Sequence, residues 1–340
     1  MRDLVVAGGG PVGLATALYA ARAGLDVEVR EPRAAPVDKA CGEGLMPAAV
    51  ADLADLGVVP EGHRLSGIRY VGSGLSVEAP FRRGDGLGVR RTTLHAALSD
   101  AVKEAGVEVV PRAVESVVSA DGHVRVDDVA CRHLVAADGL HSRVRRLLAA
   151  GRPPVRHRRW GLRAHASVAP WTPYVEVHWS PTSEAYVTPV APDLVGLAVL
   201  TDRPRAFGEL LAEHPLLVER FEGAPWSAVR GAGPLRQRVT APVLGRVLLV
   251  GDAAGYVDAI TGEGIALGLA QARAAVAAIV AGDPAAYSVA HRRIGRRREL
   301  LTHALLGASR LPVVRRQIVP LAARLPSVFA GIVDQLARPA

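Results

Sequence analysis

The chain has 340 residues, 49% hydrophobic and 22% charged, which is enough to bury a sizeable core and too apolar for a disordered polymer. Its net charge of +8 raises nucleic acid or an anionic membrane as partners, yet Lys39 and Lys103 are the only lysines. The arginines are scattered along an Ala/Val/Gly/Pro-rich chain, as a GC-rich genome would produce, so no nucleic-acid role is expected.

In chain order, residues 3 to 7 (DLVVA) predict a buried strand, and GGGPVGLATALYAARAG continues with helical periodicity. LDVEVRE predicts a second strand ending at Glu31, and residues 47 to 57 a helix closed by glycine. The stretch from 66 to 90 suits strands and loops. Residues 92 to 106 form an amphipathic helix with a threonine cap and a glycine stop. VEVV, AVESVVS, HVRVDD and HLVAADG then predict four strands. After a change of composition at 151 to 160, strands are expected at ASVAP, YVEVHWS, EAYVTPV and LVGLAVL, with one helix over 204 to 221. RVLLVGDAA repeats the strand-then-turn pattern, an alanine-rich helix covers 263 to 281, and 284 to 338 is helical, broken by prolines 312, 320 and 326.

This order predicts an α/β fold. A Rossmann-like dinucleotide domain covers 1–65, 88–155 and 240–283. A mixed β-sheet substrate domain (66–87 and 156–239) is inserted in it, and a C-terminal helical cap takes 284–340. Cys41 and Cys131 form no CxxC pair and the histidines no HExxH or HxH pattern, so a reducing compartment and no metal are expected. No uncharged apolar stretch is long enough to span a membrane. The first strand begins near Met1, leaving no room for a signal peptide; a cytoplasmic protein is expected.

Gly8-Gly9-Gly10-Pro11-Val12-Gly13 satisfies GxGxxG between a strand and a helix. Gly8 permits the tight turn, Gly10 lets backbone approach a pyrophosphate, and Gly13 lets the helix close on the sheet. The helix N-terminus offers free N–H groups to phosphate charge. Glu31, 18 residues after Gly13, can accept the ribose hydroxyls. Strand, helix and carboxylate together point to a dinucleotide, and only one such motif follows a strand.

Two further segments, VAADGLHSRVR (135–145) and LLVGDAAGYVDAITGEGI (248–265), resemble the DG and GD motifs of FAD-dependent monooxygenases of the p-hydroxybenzoate hydroxylase type and of geranylgeranyl reductases. The resemblance runs from residue 3 to about 281 and implies FAD as cofactor. NAD(P)H is implied as a transient reductant, or a separate reductase as electron donor. It implies that Arg33, Arg91, Val114, Asp138 and Asp252 contact FAD, with Arg143 near the pyrophosphate and the nicotinamide donor. Arg91 could instead be a solvated helix-start residue. Gly262, Gly264 and Ile265 would open a helix toward the flavin N1–C2=O edge.

KACGEGL resembles the Cys-Gly-Gly-x-Leu loop of the reductases, which implies that Gly42 and Gly44 bring backbone close to the flavin. Ala259 stands where those enzymes usually have proline. Their YxWxFP motif is reduced here to Tyr186-Val187-Thr188-Pro189, and the WxWxIP motif of flavin halogenases is absent. The expected activity is therefore hydroxylation of an electron-rich aromatic or polyketide-type molecule through a flavin C4a-hydroperoxide. C=C reduction of an isoprenoid, or flavin binding without turnover, are the alternatives. Candidate groups at the reacting centre are Cys41, Tyr186 and His178. Cys41 could equally be a quietly packed loop residue, and His178 an ordinary sheet histidine. Glu176 and His178 share one strand face, and Val175, Val177 and Trp179 the other. The C-terminal helices mix apolar faces with arginines, which suits a cap over the substrate lobe or a weak membrane-surface contact.

Overall fold

In this computed structural model residues 1–153 and 158–338 are described, so the expected domain boundary at residues 155 and 156 lies outside them. The glycine motif follows a central strand of an eight-stranded sheet. Its strands run in the order Val243–Leu244, Val247–Leu249, Val129–Ala136, Arg2–Ala7, Val27–Arg30 and Glu108–Val110. The pairings of Arg2–Ala7 with both neighbours are parallel, as are those of Val247–Leu249 with Val129–Ala136 and of Val27–Arg30 with Glu108–Val110. A hairpin (Val117–Ala120, His123–Val126) adds antiparallel strands to Val129–Ala136. Leu4, Val5 and Val6 are buried on both faces, which is why their run is continuous and not alternating.

Helix α1 (Pro11–Arg22) starts with proline at a position whose missing N–H costs nothing. It is followed in this lobe by α2 (Pro47–Asp55), α3 (Arg91–Glu104) and the short α4 (Arg143–Leu147). A small sheet of Gly44–Leu45, Gly86–Gly88 and His63–Leu65 links it to the second lobe.

The second lobe is a mixed seven-stranded sheet. Its order is Arg230–Ala232, Trp160–Ala166, Leu194–Thr201, Ser183–Ala191, Tyr174–Trp179, Gly67–Gly72 and Leu75–Pro80. One face packs Val187, Val195 and Leu197 against α5 (Phe207–Leu211) and α6 (Pro215–Arg220). Two expectations shift here. The helix predicted over 204 to 221 is two short ones, because Pro215 cannot continue a helix and starts a new one. The strand expected at ASVAP lies one segment earlier, at Trp160–Ala166, and pairs with Leu194–Thr201 before the chain turns away toward Pro170.

The chain returns to the first sheet at Val247–Leu249, makes a tight turn at Gly251–Ala254, and enters α7 (Gly264–Val280). Helices α8 (Ala286–Arg310), α9 (Pro312–Arg324) and α10 (Pro326–Ala337) then cover the second sheet's other face. Pro312 and Pro326 begin new helices as expected, but Pro320 stays inside α9. On the N-terminal side of Pro320 that helix is held by buried Val319 and by Arg315. The Arg315 guanidinium donates to Glu184 Oε1 (2.7 Å), Ser180 O (2.5 Å) and Ser183 O (2.6 Å). Glu184 also pairs with Arg159, which reaches Asp258 Oδ1 at 3.1 Å, so the cap, the sheet and the turn before α7 share one buried ion cluster. Among the described residues no helix is long and apolar enough to cross a membrane.

Candidate active site

A cavity of about 610 Å³ lies where the two lobes and the C-terminal helices meet. At one end its wall is the glycine turn. Gly8 has φ +98°, and a Cβ there would lie 2.7 Å from Ala137 O. A Cβ on Gly13 would lie 1.8 Å from Gly8 O, so α1 can start this close to the sheet only with glycine. Gly10, Pro11 and Val12 line the cavity above them.

Glu31 is buried at the end of Val27–Arg30 and accepts from Gly9 N (2.9 Å), Arg33 N (3.0 Å) and Arg33 Nε (2.7 Å). Burial pulls its pKa up, but the bonds from Arg33 and from the Gly9 N–H outweigh that and hold the carboxyl below its ordinary value. An anionic acceptor is thus fixed beside the glycine turn, as a ribose requires. Asp138 uses Oδ2 to accept from the Arg143 and Val144 N–H groups (2.7 and 3.0 Å), while buried Oδ1 has no partner among the described residues. Arg91 opens α3 and lines the cavity; its buried Nε is likewise unpartnered among the described residues, and burial lowers the guanidinium pKa. Buried polar atoms left open like this are the mark of a site shaped for a polar ligand. Asp252, 3.7 Å from Lys39 Nζ, and the Gly262–Ile265 turn at the N-terminus of α7 complete this end.

The cavity therefore gathers Gly10, Pro11, Val12, Arg33, Gly42, Gly44, Arg91, Asp138, Asp252, Gly262, Gly264 and Ile265, with Cys41 and Tyr186. Gly8, Gly13 and Glu31 lie just behind its wall. Val114 does not reach it: it is buried with Val124, Val126 and Cys131 under the hairpin. His178 points to the other face of the second sheet, where its ring bonds Glu176 Oε2 at 3.0 Å. The face that meets the cavity is that of Val175, Val177, Tyr186 and Thr188. The Arg143 side chain turns away to Glu115, 3.7 Å distant.

The Cys41–Gly44 loop is pinned from outside by two bonds and braced by one within it. Thr188 Oγ1 donates to Gly42 O (2.8 Å), Val89 N donates to Glu43 O (2.9 Å), and Glu43 N donates to Cys41 Sγ (3.4 Å). Desolvation raises the Cys41 pKa, so the sulfur keeps its proton at neutral pH. Tyr186 gives its hydroxyl proton to Ile260 O at 2.9 Å, and burial pushes its pKa far up.

Sequence reasoning missed Glu43. It sits at φ +59°, a conformation uncommon for a side-chain-bearing residue, and is almost wholly buried. Its carboxylate accepts from Arg91 N (2.8 Å) and meets His165 Nε2 at 2.6 Å. Arg163 Nη1 lies 3.2 Å from His165 Nδ1; a guanidinium only donates, so Nδ1 accepts and Nε2 carries the hydrogen toward Glu43. The signal was visible, since Glu43 occupies the second glycine position of the Cys-Gly-Gly-x-Leu pattern. Arg145 was also missed. Its buried guanidinium donates to Leu140 O, Asp252 O and Ala253 O, clamping the DG turn to the GD turn.

Comparison with known proteins agrees with this geometry. Residues 1–187 match the FAD binding domain family. The menaquinone reductase of Mycolicibacterium smegmatis is 31% identical over 326 residues, covering 85% of this chain and 78% of that protein. Digeranylgeranylglycerophospholipid reductase 2 of Methanopyrus kandleri is 28% identical, over 84% and 77%. The flavin-dependent brominase Bmp2 superposes with a TM-score of 0.83 at 20% identity, over 99% of this chain and 93% of that one, a likeness of fold. The glycine turn, the open polar atoms around it and the family match lead to one conclusion: the chain belongs to the FAD binding domain family and is an FAD-dependent oxidoreductase.

Proposed function

We propose that this protein reduces a carbon–carbon double bond in a polyprenyl chain. One observation carries the reading: every described residue that α8, α9 and α10 contribute to the cavity is Ala, Val, Leu, Ile or Phe. Such a wall gains by covering a hydrocarbon chain, at roughly 25 cal/mol per Å² of apolar surface removed from water. It offers a phenol nothing to hydrogen-bond, and the Tyr186 hydroxyl proton is already committed to Ile260 O. The names of the two relatives support the same choice. A menaquinone and a digeranylgeranyl phospholipid differ in their polar ends and share a polyprenyl chain. This favours reduction over the hydroxylation expected from the sequence.

Alkene reduction needs a hydride at one carbon and a proton at the other. Bound FAD would supply the hydride, reduced in turn by NAD(P)H or a separate reductase, and the chain must hold the proton. Cys41 suits that role: its thiol is protonated, faces the cavity, and is held by the bonds that pin the 41–44 loop. Glu43 and Thr188 keep the loop in place, and the aliphatic wall excludes water.

The experiment is anaerobic incubation of dithionite-reduced protein with menaquinone and with a short prenyl analogue, followed by mass spectrometry. The expected product has gained two hydrogens. Cys41→Ala should lower turnover about 10²–10⁴-fold, with Cys41→Ser between it and the parent, and the visible flavin spectrum unchanged. Substrate-dependent O2 uptake with an oxygenated product would show a hydroxylase instead.

A further inference from the structure

We infer that the α9–α10 edge of the cavity docks on an anionic lipid bilayer. Residues 284–340 contain ten arginines against Glu299 and Asp334 alone, an excess equal to the net charge of the whole chain; the other residues balance. The scattered arginines therefore conceal a segregation of charge onto the C-terminal helices. Arg315 is buried and spent on Glu184, but Arg310, Arg316 and Arg324 are exposed. Arg82 and Arg83 add to them from the turn after Leu75–Pro80, with Arg83 Nε 3.6 Å from Asp334 on α10.

Within this basic rim lies an apolar lip. Leu321, Leu325, Val328 and Ile332 line the cavity and are yet 47, 52, 54 and 44% exposed, so the inner wall continues onto the surface. Beside them, at the α8–α9 corner, Leu311 and Val313 stand 58 and 77% exposed. Val328 and Ile332, four residues apart, share one side of α10, and Leu325 stands just before its first turn. Exposed aliphatic residues with arginines around them match an interfacial segment, where apolar insertion and attraction to acidic headgroups act together and neither suffices alone. The same charge argues against a second copy as the occupant, because two such faces would repel. A bilayer also fits if the proposed reduction holds: a polyprenyl chain then passes from the membrane into the cavity over the lip without crossing water.

The test is co-sedimentation of the FAD-loaded full chain with phosphatidylglycerol vesicles and with phosphatidylcholine vesicles. Binding should be at least about tenfold stronger to the acidic lipid and weaken as salt shortens the screening length to about 3 Å near 1 M. Leu311→Glu with Val313→Glu, at positions outside the cavity, should cut that binding about tenfold or more, and Arg316→Glu with Arg324→Glu should do the same. Flavin content and turnover of a short, water-soluble prenyl substrate should stay at the parent level. Equal binding to both lipids, or variants that bind like the parent, would overturn the inference. So would self-association of the parent, abolished by the same substitutions, without vesicle binding. Acidic-lipid binding without alkene reduction would leave the docking surface standing and remove the proposed reaction; reduction without lipid binding would do the reverse.

Discussion

At one end of the cavity the wall is backbone and charge: the Gly10–Val12 turn, Asp138, Arg91, and Asp252 beside Lys39. At the other it is aliphatic side chains on three helices, Val314 and Ile318 among them. A pyrophosphate and ribose are bound by a few groups at fixed distances, and each such group demands a particular residue at a particular place. A hydrocarbon chain is bound by area, which many sequences supply. The first end should therefore be intolerant of single substitutions, and the second forgiving.

The largest expected effect tests that division directly. Gly13→Ala puts a carbon 1.8 Å from the Gly8 carbonyl oxygen, backbone against backbone, with nothing flexible to yield. The purified variant should hold no flavin, read as loss of visible absorbance. Ile318→Ala, at the other end, should retain its flavin and raise KM for a long-chain substrate several-fold more than for a short one, through lost apolar contact. Flavin retained by Gly13→Ala, or lost by Ile318→Ala, would end the distinction.

The apolar end nevertheless has one exacting component, the charge cluster that holds α9. Glu184 is completely buried between Arg159 and Arg315. Arg315→Ala removes one cation and takes the Arg315 donor from Ser180 O, while Ser183 O keeps the Ser180 N–H. Breaking a buried pair of this kind costs about 3–5 kcal/mol. Thermal unfolding should shift down accordingly, with the cap released first, so limited proteolysis near residues 310–325 should quicken before flavin is lost. If flavin loss and proteolysis coincide, the cap and the cofactor end form one cooperative unit.

The same contrast explains what was legible in the sequence. The α/β class and the FAD motifs could be read because glycine spacing, strand runs and Asp138 or Asp252 are local signals. Arg33 and Arg91 were carried over by resemblance, and both line the cavity. Val114 was carried over by resemblance and lies under the hairpin, and nothing local could have told which way it faced. His178 and Tyr186 differ by strand face alone, and period-two alternation cannot say which face meets the cavity. The two-helix break at Pro215 was readable, since His214-Pro215 stands in the middle of the expected helix. The Glu184 cluster was not, because its arginines lie 25 and 131 residues away in sequence. Its existence depends on the tertiary fold.

The smallest effect belongs to the sheet face turned away from the cavity, and it separates that face from both ends. His214 is buried with Ser183 Oγ 3.0 Å from its Nε2, and burial lowers its pKa from 6.5 to about 4. Between those values the unfolded chain binds a proton here that the folded chain refuses, so stability falls as pH drops from 6.5 and levels near 4. Glu213 next to it is held down to about 2: burial opposes this, but bonds from Ser183, Thr182, Arg205 and Ser180 prevail, so its loss adds below 4.5. Asp258, on the turn before α7, acts in the opposite sense. Burial raises it to about 6 despite Arg159, the folded chain then binds the extra proton, and stability falls as pH rises from 3.8 to 6. The two slopes oppose each other in the same window, so the parent's melting temperature alone cannot reveal either. His214→Gln removes one of them. The variant should be the more stable at pH 4.5 relative to pH 7, by about 1–3 kcal/mol against the parent's own change, with flavin content and turnover unaltered. A difference curve that is flat across pH 4–6.5 would mean that His214 is protonated in the folded chain and that this face is wetter than its packing implies.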